Sequence, residues 1–273
     1  MNGRPTSIIF YHPGAEFRPN FSEIKNNATD WSTIKHSRKF VESKGSYLSS
    51  LNASPKVDVL GLWAEWEAPS KIRKMFTSVS GLPKYIHTPI RPTQPIFRNF
   101  LNTDPCVFGD YFLYSNCQQY TCQGRQTTIL QNLEPGDAIF FGSNSRNYFV
   151  LDTVFVIREV LSIDRRQIRN KTIPQVPLWY YDLTLDFLML KYKLYIGASI
   201  TQPINGMFSF FPSLIMQQSP MGFSRPSVFN QYNKGQSRGF RYKGLDAPQF
   251  LWNQVVQETL KARLMLGVKA EAP

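Results

Sequence analysis

Between Phe187 and Gly244 the sequence has no aspartate or glutamate, although Lys191, Lys193, Arg225, Lys234, Arg238, Arg241 and Lys243 all fall within it. Over the whole chain Lys and Arg outnumber Asp and Glu by 31 to 19, a formal charge of +12. Such an excess points to a polyanionic partner, either nucleic acid or an anionic membrane surface. Other scarcities narrow the field. Three cysteines, an odd number, make no disulfide framework and fit a reducing compartment. Their spacing, C-x10-C-x4-C, lacks the close pair of a structural zinc site, and the three histidines lie far upstream. Small buried thiols are the expectation, and no metal is called for.

No apolar run approaches the roughly 20 residues that span a bilayer. The longest, Leu183 to Ile200, is broken by Asp186, Lys191 and Lys193. The start, "MNGRPTSIIF", has no basic-then-apolar leader. A cytoplasmic protein with no membrane partner is expected, since a Lys-rich amphipathic helix is also missing. Missing too are a phosphate-binding G-x-x-x-x-G-K-[ST] loop, a Rossmann fingerprint and a G-x-S-x-G elbow. No nucleotide cofactor and no serine triad are therefore indicated.

What the chain has in quantity is aromatics, 21 Phe, 13 Tyr and 5 Trp, and 19 scattered prolines. Many prolines argue for short segments joined by turns. "YFVLDTVFVIREVLSI" (Tyr148–Ile163) reads as a long β segment. "TILQNLEPGDAIFFGS" suggests a short helix, a Pro-Gly turn with Asp137 in it, and a strand from Ala138. "SKIRKMFTSVSG" (Ser70–Gly81) predicts a short basic helix, and "TDWSTIKHSRKFVESKG" (Thr29–Gly45) is compatible with another. At the C-terminus, Leu251, Val255, Val256, Leu260 and Leu264 form a helical apolar stripe after Pro248. With no repeat and no clear linker, residues 1–273 read as one α+β domain. Its sheet is mixed and barrel-like, with flanking helices and a C-terminal amphipathic helix. Residues 218–245 form a basic, aromatic loop within it.

Candidate chemistry centres on carboxylates. In "VDVLGLWAEWEAPS" (Val57–Ser70), alternation puts Trp63, Glu65 and Glu67 on one strand face. An indole beside two carboxylates suits a site that stacks a flat ring and moves protons at its edge; solvated glutamates on an exposed face are the plain alternative. Asp152 interrupts an apolar run, and a charge there needs a buried partner or a function. In "DPCVFGDYFLYSNCQQ" (Asp104–Gln119), a single strand would place Phe108, Asp110, Phe112, Tyr114 and Asn116 together. Asp110, Tyr114, Asn116 and Gln118 could then read a heterocycle, or merely knit turns at Asp104-Pro105 and Gly109-Asp110. In the acid-free window, Arg225, Lys234, Arg238, Arg241 and Lys243 alternate with Phe and Tyr, the mixture that contacts phosphates and stacks bases.

"PCVFGDYFLYSNCQQ", "LEPGDAIFFGS", "VLDTVFVI" and the later "YIGA" and "GMFSFFP" together resemble the nucleotide-modification-associated domains. The Gly-Asp-strand followed by a Val-rich strand is similar, at the level of fold, to PUA-like barrels that hold modified bases. The resemblance implies a role in making, recognising or removing altered DNA bases in bacteria and their phages, including phage defence. It implies no particular catalytic residues. With the residue reading, it leads to the expectation of a DNA-binding protein that recognises and processes a modified base flipped from the duplex. The sharpest version is a DNA N-glycosylase, a hydrolase needing no cofactor. Glu65, Glu67, Asp110 or Asp152 would be catalytic, while Trp63, Tyr114, Asn116 and Gln118 would hold the base. The alternatives are a non-catalytic reader and an enzyme that installs the modification.

Overall fold

The computed structural model describes residues 5–11, 16, 30–31, 38–77, 79, 81–91, 102–121, 126–145, 148–164, 166, 173–185, 191–229, 240–241 and 248–273. Strand β9 (Tyr148–Asp164) organises one of its two sheets. One edge of β9 pairs with β8 (Ala138–Ser145). The other takes β10 (Lys191–Gly197), then Phe210, then β12 (Ser227–Phe229). β1 (Ser7–Tyr11) runs parallel to β8, making the sheet mixed; β13 (Phe240–Arg241) and β7 (Leu113–Tyr114) finish its two ends.

Side-chain alternation builds a core on each face of this sheet. Ile8, Phe10, Ile139, Phe141, Phe155 and Ile157 point one way, onto Leu60, Leu62 and Ala64 of the second sheet and Trp66 just beyond it. Ile9, Tyr11, Ala138, Phe140, Val154 and Val156 point the other way, onto Leu251, Trp252, Val255 and Val256 of a helix over Pro248–Lys261. On β9 the parity changes partway. Phe149 and Leu151 share the helix-side core with Val154 and Val156, so an odd series becomes an even one. The change falls where the ladder slips between Phe141 and Gly142, opposite Thr153 and Leu151 respectively. Asp152 is the extra residue of that bulge, which re-aims its side chain. Gly142 permits it, because a Cβ there would strike the Val150 carbonyl and the Phe149 ring.

The second sheet runs β14 (Met265–Ala270), β11 (Phe211–Ile215), β4 (Lys56–Glu65), β3 (Arg38–Leu48), β6 (Tyr85–Pro89), β5 (Ser70–Met75) and β2 (Asp30–Trp31). β14 also pairs back onto β3, so β3, β4, β11 and β14 close into a small four-stranded barrel. Closure removes the open edges of those strands.

The expected α+β class holds broadly, with β predominant: the chain is mostly β, with two α-helices among the described residues, α1 (Leu178–Leu183) and α2 (Pro248–Lys261). Two local expectations are corrected. Ser70–Met75 is a strand: its ladder with β6 outweighs a local pattern of exposed Lys71, Arg73 and Lys74. The described part of Thr29–Gly45 is also β, with Arg38 to Gly45 paired to β4. The long β9, the strand from Ala138, the short 3-10 turn at Ile129–Gln131 and the C-terminal helix lie where the sequence predicts them. In the Pro-Gly turn, Gly136 takes φ 95°, and Asp137 accepts from the backbone N–H groups of Thr6 and Glu134 at 2.5 and 2.8 Å. Among the described residues, no helix is long and apolar enough to cross a membrane.

Candidate functional site

Arg38 opens β3 and Glu65 closes β4, directly opposite each other in the ladder. Period-two alternation therefore puts Arg38, Phe40, Trp63 and Glu65 on one face, as the sequence predicts for Trp63 and Glu65. The Arg38 Nη1 donates to Glu65 Oε2, and Nε donates to Asp152 Oδ2 at 2.9 Å. All three side chains are at most 3% exposed. Burial alone would lower the guanidinium pKa, but Asp152 and Glu65 more than compensate and raise it. The barrel and the β9 sheet are thus joined by a buried ionic contact.

Two arms extend from this centre. On one side Arg225 donates from Nη1 to Ser143 Oγ at 2.7 Å and approaches Asp152 Oδ1 at 3.4 Å. Its guanidinium lies 5.1 Å from the centre of the Trp63 ring, a cation–π contact. Trp63 Nε1 donates to the Phe223 carbonyl at 2.9 Å, which fixes the indole. On the other side Asn102 bridges three groups. Its Nδ2 donates to Glu65 Oε1 at 2.8 Å and to Cys117 Sγ at 2.7 Å, and its backbone N–H reaches Glu67 Oε2 at 2.7 Å. Its Oδ1 accepts from the Asp104 backbone N–H at 3.0 Å.

Asp104 anchors the segment Asp104–Gln119. Its carboxylate accepts from the N–H groups of Ser115, Asn116 and Cys117, the shortest at 2.5 Å, and from Tyr180 Oη at 3.0 Å. Burial raises its pKa to about 6, against the pull of those donors. On the opposite face of β3, buried Lys39 donates to the Ala68 carbonyl at 3.0 Å. Burial drives the Lys39 pKa well down, with Glu67 opposing, and burial and Lys39 together press His87 to about 3.

The structure brings together Glu65, Asp152, Trp63 and Arg225 directly, and Glu67 through Asn102. The remaining predicted residues lie elsewhere. Asp110 is exposed and pairs with Lys269. Asp104–Gln119 is not one strand: a turn at Gly109–Tyr111 separates Cys106 from Leu113, which bridge antiparallel. Tyr114 is fully buried, stacked on Tyr195 at 5.5 Å and donating to the Cys117 carbonyl, so it is part of the core and offers no face to a base. Asn116 is half-buried, and Gln118 is exposed with φ 58°. Arg241 lies in β13 opposite Ile8. Lys234, Arg238 and Lys243 lie outside the described residues, as does Cys122. Cys106 and Cys117 are buried free thiols whose pKa values burial pushes up, that of Cys106 to about 12. Among the described residues, no group of three His, Cys, Asp or Glu is arranged to hold a metal ion.

Sequence reasoning missed Arg38, Asn102 and Asp104. The one signal was Asp152 itself: an aspartate in a buried strand requires a cation, and the partner lies 114 positions away. No family model matches the chain, and no curated protein or solved structure matches it. The likeness the structure supports is coarse, a mostly β chain containing a small closed barrel.

Proposed function

We propose that this protein binds DNA carrying a modified nucleobase and acts on that base, within the nucleotide-modification-associated and PUA-like frame that its sequence motifs resemble. The observation that carries this reading is the placement of Arg225. It belongs to the acid-free basic window, yet its guanidinium rests on Trp63 and reaches Asp152. One cation of that window thereby adjoins an indole and a buried carboxylate, ingredients for holding a flipped base. In the sharpest form the reaction is N-glycosidic hydrolysis. The oxygen of water bonds to C1′, the C–N bond breaks, and the base leaves with the bonding pair and a proton. Asp152 or Glu65 would orient the water or stabilise positive charge on the sugar.

A second reading, a non-catalytic reader, draws support from Arg38. It holds both carboxylates in buried ion pairs, which suits a fixed hydrogen-bonding template more than a proton carrier. The test is incubation with duplexes bearing ordinary and hypermodified bases, followed by alkali cleavage and mass spectrometry. Abasic sites that vanish in folded Asp152→Asn or Glu65→Gln support hydrolysis. Tight binding without product supports the reader, and neither binding nor product overturns both.

A further inference from the structure

The chain has a second stretch without aspartate or glutamate, Ala68 to Thr103, in which Lys71, Arg73, Lys74, Lys84, Arg91 and Arg98 all fall. Its described part is built on the β5–β6 hairpin, and Lys71, Arg73 and Lys74 are exposed on β5. Two acids from elsewhere reach this hairpin. Asp30 stands opposite Lys71 in the β2–β5 ladder, and Glu16 accepts from the backbone N–H groups of Lys84 and Tyr85 at 2.6 and 3.0 Å. Arg73 and Lys74 remain: among the described residues neither takes part in an ion pair. Adjoining exposed cations repel each other and attract a polyanion.

The register links these cations to the Trp63 face. The β5–β6 ladder slips between Ile72 and Lys74, with Arg73 as the extra residue. Lys71 and Lys74, three apart, thereby oppose Thr88 and Ile86, two apart, and come to share a face. Lys74 opposes Ile86, Ile86 opposes Phe40, and Phe40 opposes Trp63, so one row of side chains crosses β5, β6, β3 and β4. Three strand spacings separate its ends by roughly 14 Å. Lys74 is the exposed end, and the other end is the indole that Arg225 covers.

The segment before Arg225 lies against the tip of the hairpin. A Cβ at Gly81 would stand 2.5 Å from Ser224 Oγ, and one at Gly222 would stand 2.6 Å from Pro83 Cγ. Phe223 packs with Phe40 and Ile86, and Phe76 joins the same cluster. The two acid-free stretches, far apart in sequence, therefore meet here. Half-buried Phe76 and Tyr85 follow Arg73 and Lys74 around the hairpin, which gives the cation–aromatic mixture that suits nucleic acid.

We propose that the β5–β6 hairpin, through Arg73 and Lys74, holds the phosphodiester backbone of bound DNA. The inference rests on the DNA-binding reading and adds the face that carries the backbone. Such contacts position the duplex without reading its sequence.

The test is fluorescence anisotropy of the full chain with labelled duplexes, ordinary and hypermodified, over a series of salt concentrations. Arg73→Gln with Lys74→Gln, checked for folding by circular dichroism, should lower the slope of log K against log salt by about two, roughly one for each lost phosphate contact. Both duplexes should weaken alike. Lys56→Gln with Lys261→Gln removes the same charge from exposed positions at the start of β4 and the end of α2, and should keep the parental slope. A parental slope in the hairpin variant, or equal losses in both variants, would overturn the proposal while the DNA reading stands. A parent chain that binds neither duplex would overturn both. Binding to equimolar phosphatidylserine–phosphatidylcholine vesicles that needs Arg73 and Lys74, when duplex binding does not, would assign the face to a membrane surface and also overturn it.

Discussion

Arg38 and Asp152 belong to different sheets, and the 2.9 Å bond from Nε to Oδ2 joins the four-stranded barrel to the β9 layer. Because Glu65 shares the same guanidinium, removing Arg38 takes a buried cation from two carboxylates at once, although Asp152 keeps Arg225 and Glu65 keeps Asn102. Arg38→Met should cost about 3–5 kcal/mol, the range for breaking a buried pair. Chemical denaturation measures it. The double variant Arg38→Met with Glu65→Gln should recover part of the loss, with a coupling of about 1–3 kcal/mol. Strict additivity would mean the pair does not interact in solution.

The bulge makes a separate prediction. Gly142→Ala introduces a methyl group against the Val150 carbonyl and the Phe149 ring. Relief requires moving the very segment that aims Asp152, so the variant should lose about 1–3 kcal/mol and also weaken whatever binding the Asp152 cluster supports. Unchanged stability would show that the bulge relaxes freely and does not position the carboxylate.

Some of this was legible in the residues and some was not, for physical reasons. The Val- and Phe-rich β9 and the stripe of α2 are local patterns whose burial follows from their period. The shared face of Trp63 and Glu65 follows from alternation alone. Tyr114 was misplaced because alternation holds only along one strand, and the turn at Gly109–Tyr111 resets it. Asp104 was read as an ordinary turn aspartate before Pro105. Its role depends on three backbone N–H groups that a later loop delivers. Arg38 carries no signal of its own, because nothing in "HSRKFVES" encodes a partner reached across a bulge in another sheet.

Buried thiols give a chemical test. Burial pushes Cys106 to about 12 and Cys117 well above its ordinary value, so neither is a thiolate at neutral pH. In a Cys122→Ser background, native protein should react with an aromatic disulfide reagent only as fast as the structure opens, and both thiols should appear at once in denaturant. Rapid reaction of either under native conditions would contradict their burial.

Asp104 sets the sign of one part of the pH dependence. Its folded pKa, about 6, lies above the ordinary 3.8 because burial penalises the charged form. The folded chain therefore binds this proton more tightly than the unfolded chain. The stabilising contribution is fully present below about pH 4 and is lost as pH rises toward 6. A shift of this size corresponds to about 3 kcal/mol across that window. The three backbone donors and Tyr180 oppose the shift, and without them the charged form would be less tolerable still. Asp104→Asn cannot titrate, so the difference in unfolding free energy between it and the parent should vary with pH from about 4 to 6, the parent losing stability relative to the variant as pH rises. A difference that stays constant over that range, or one with the opposite slope, would show that the carboxylate is ionised in the fold at an ordinary pKa and that its hydrogen bonds outweigh its burial.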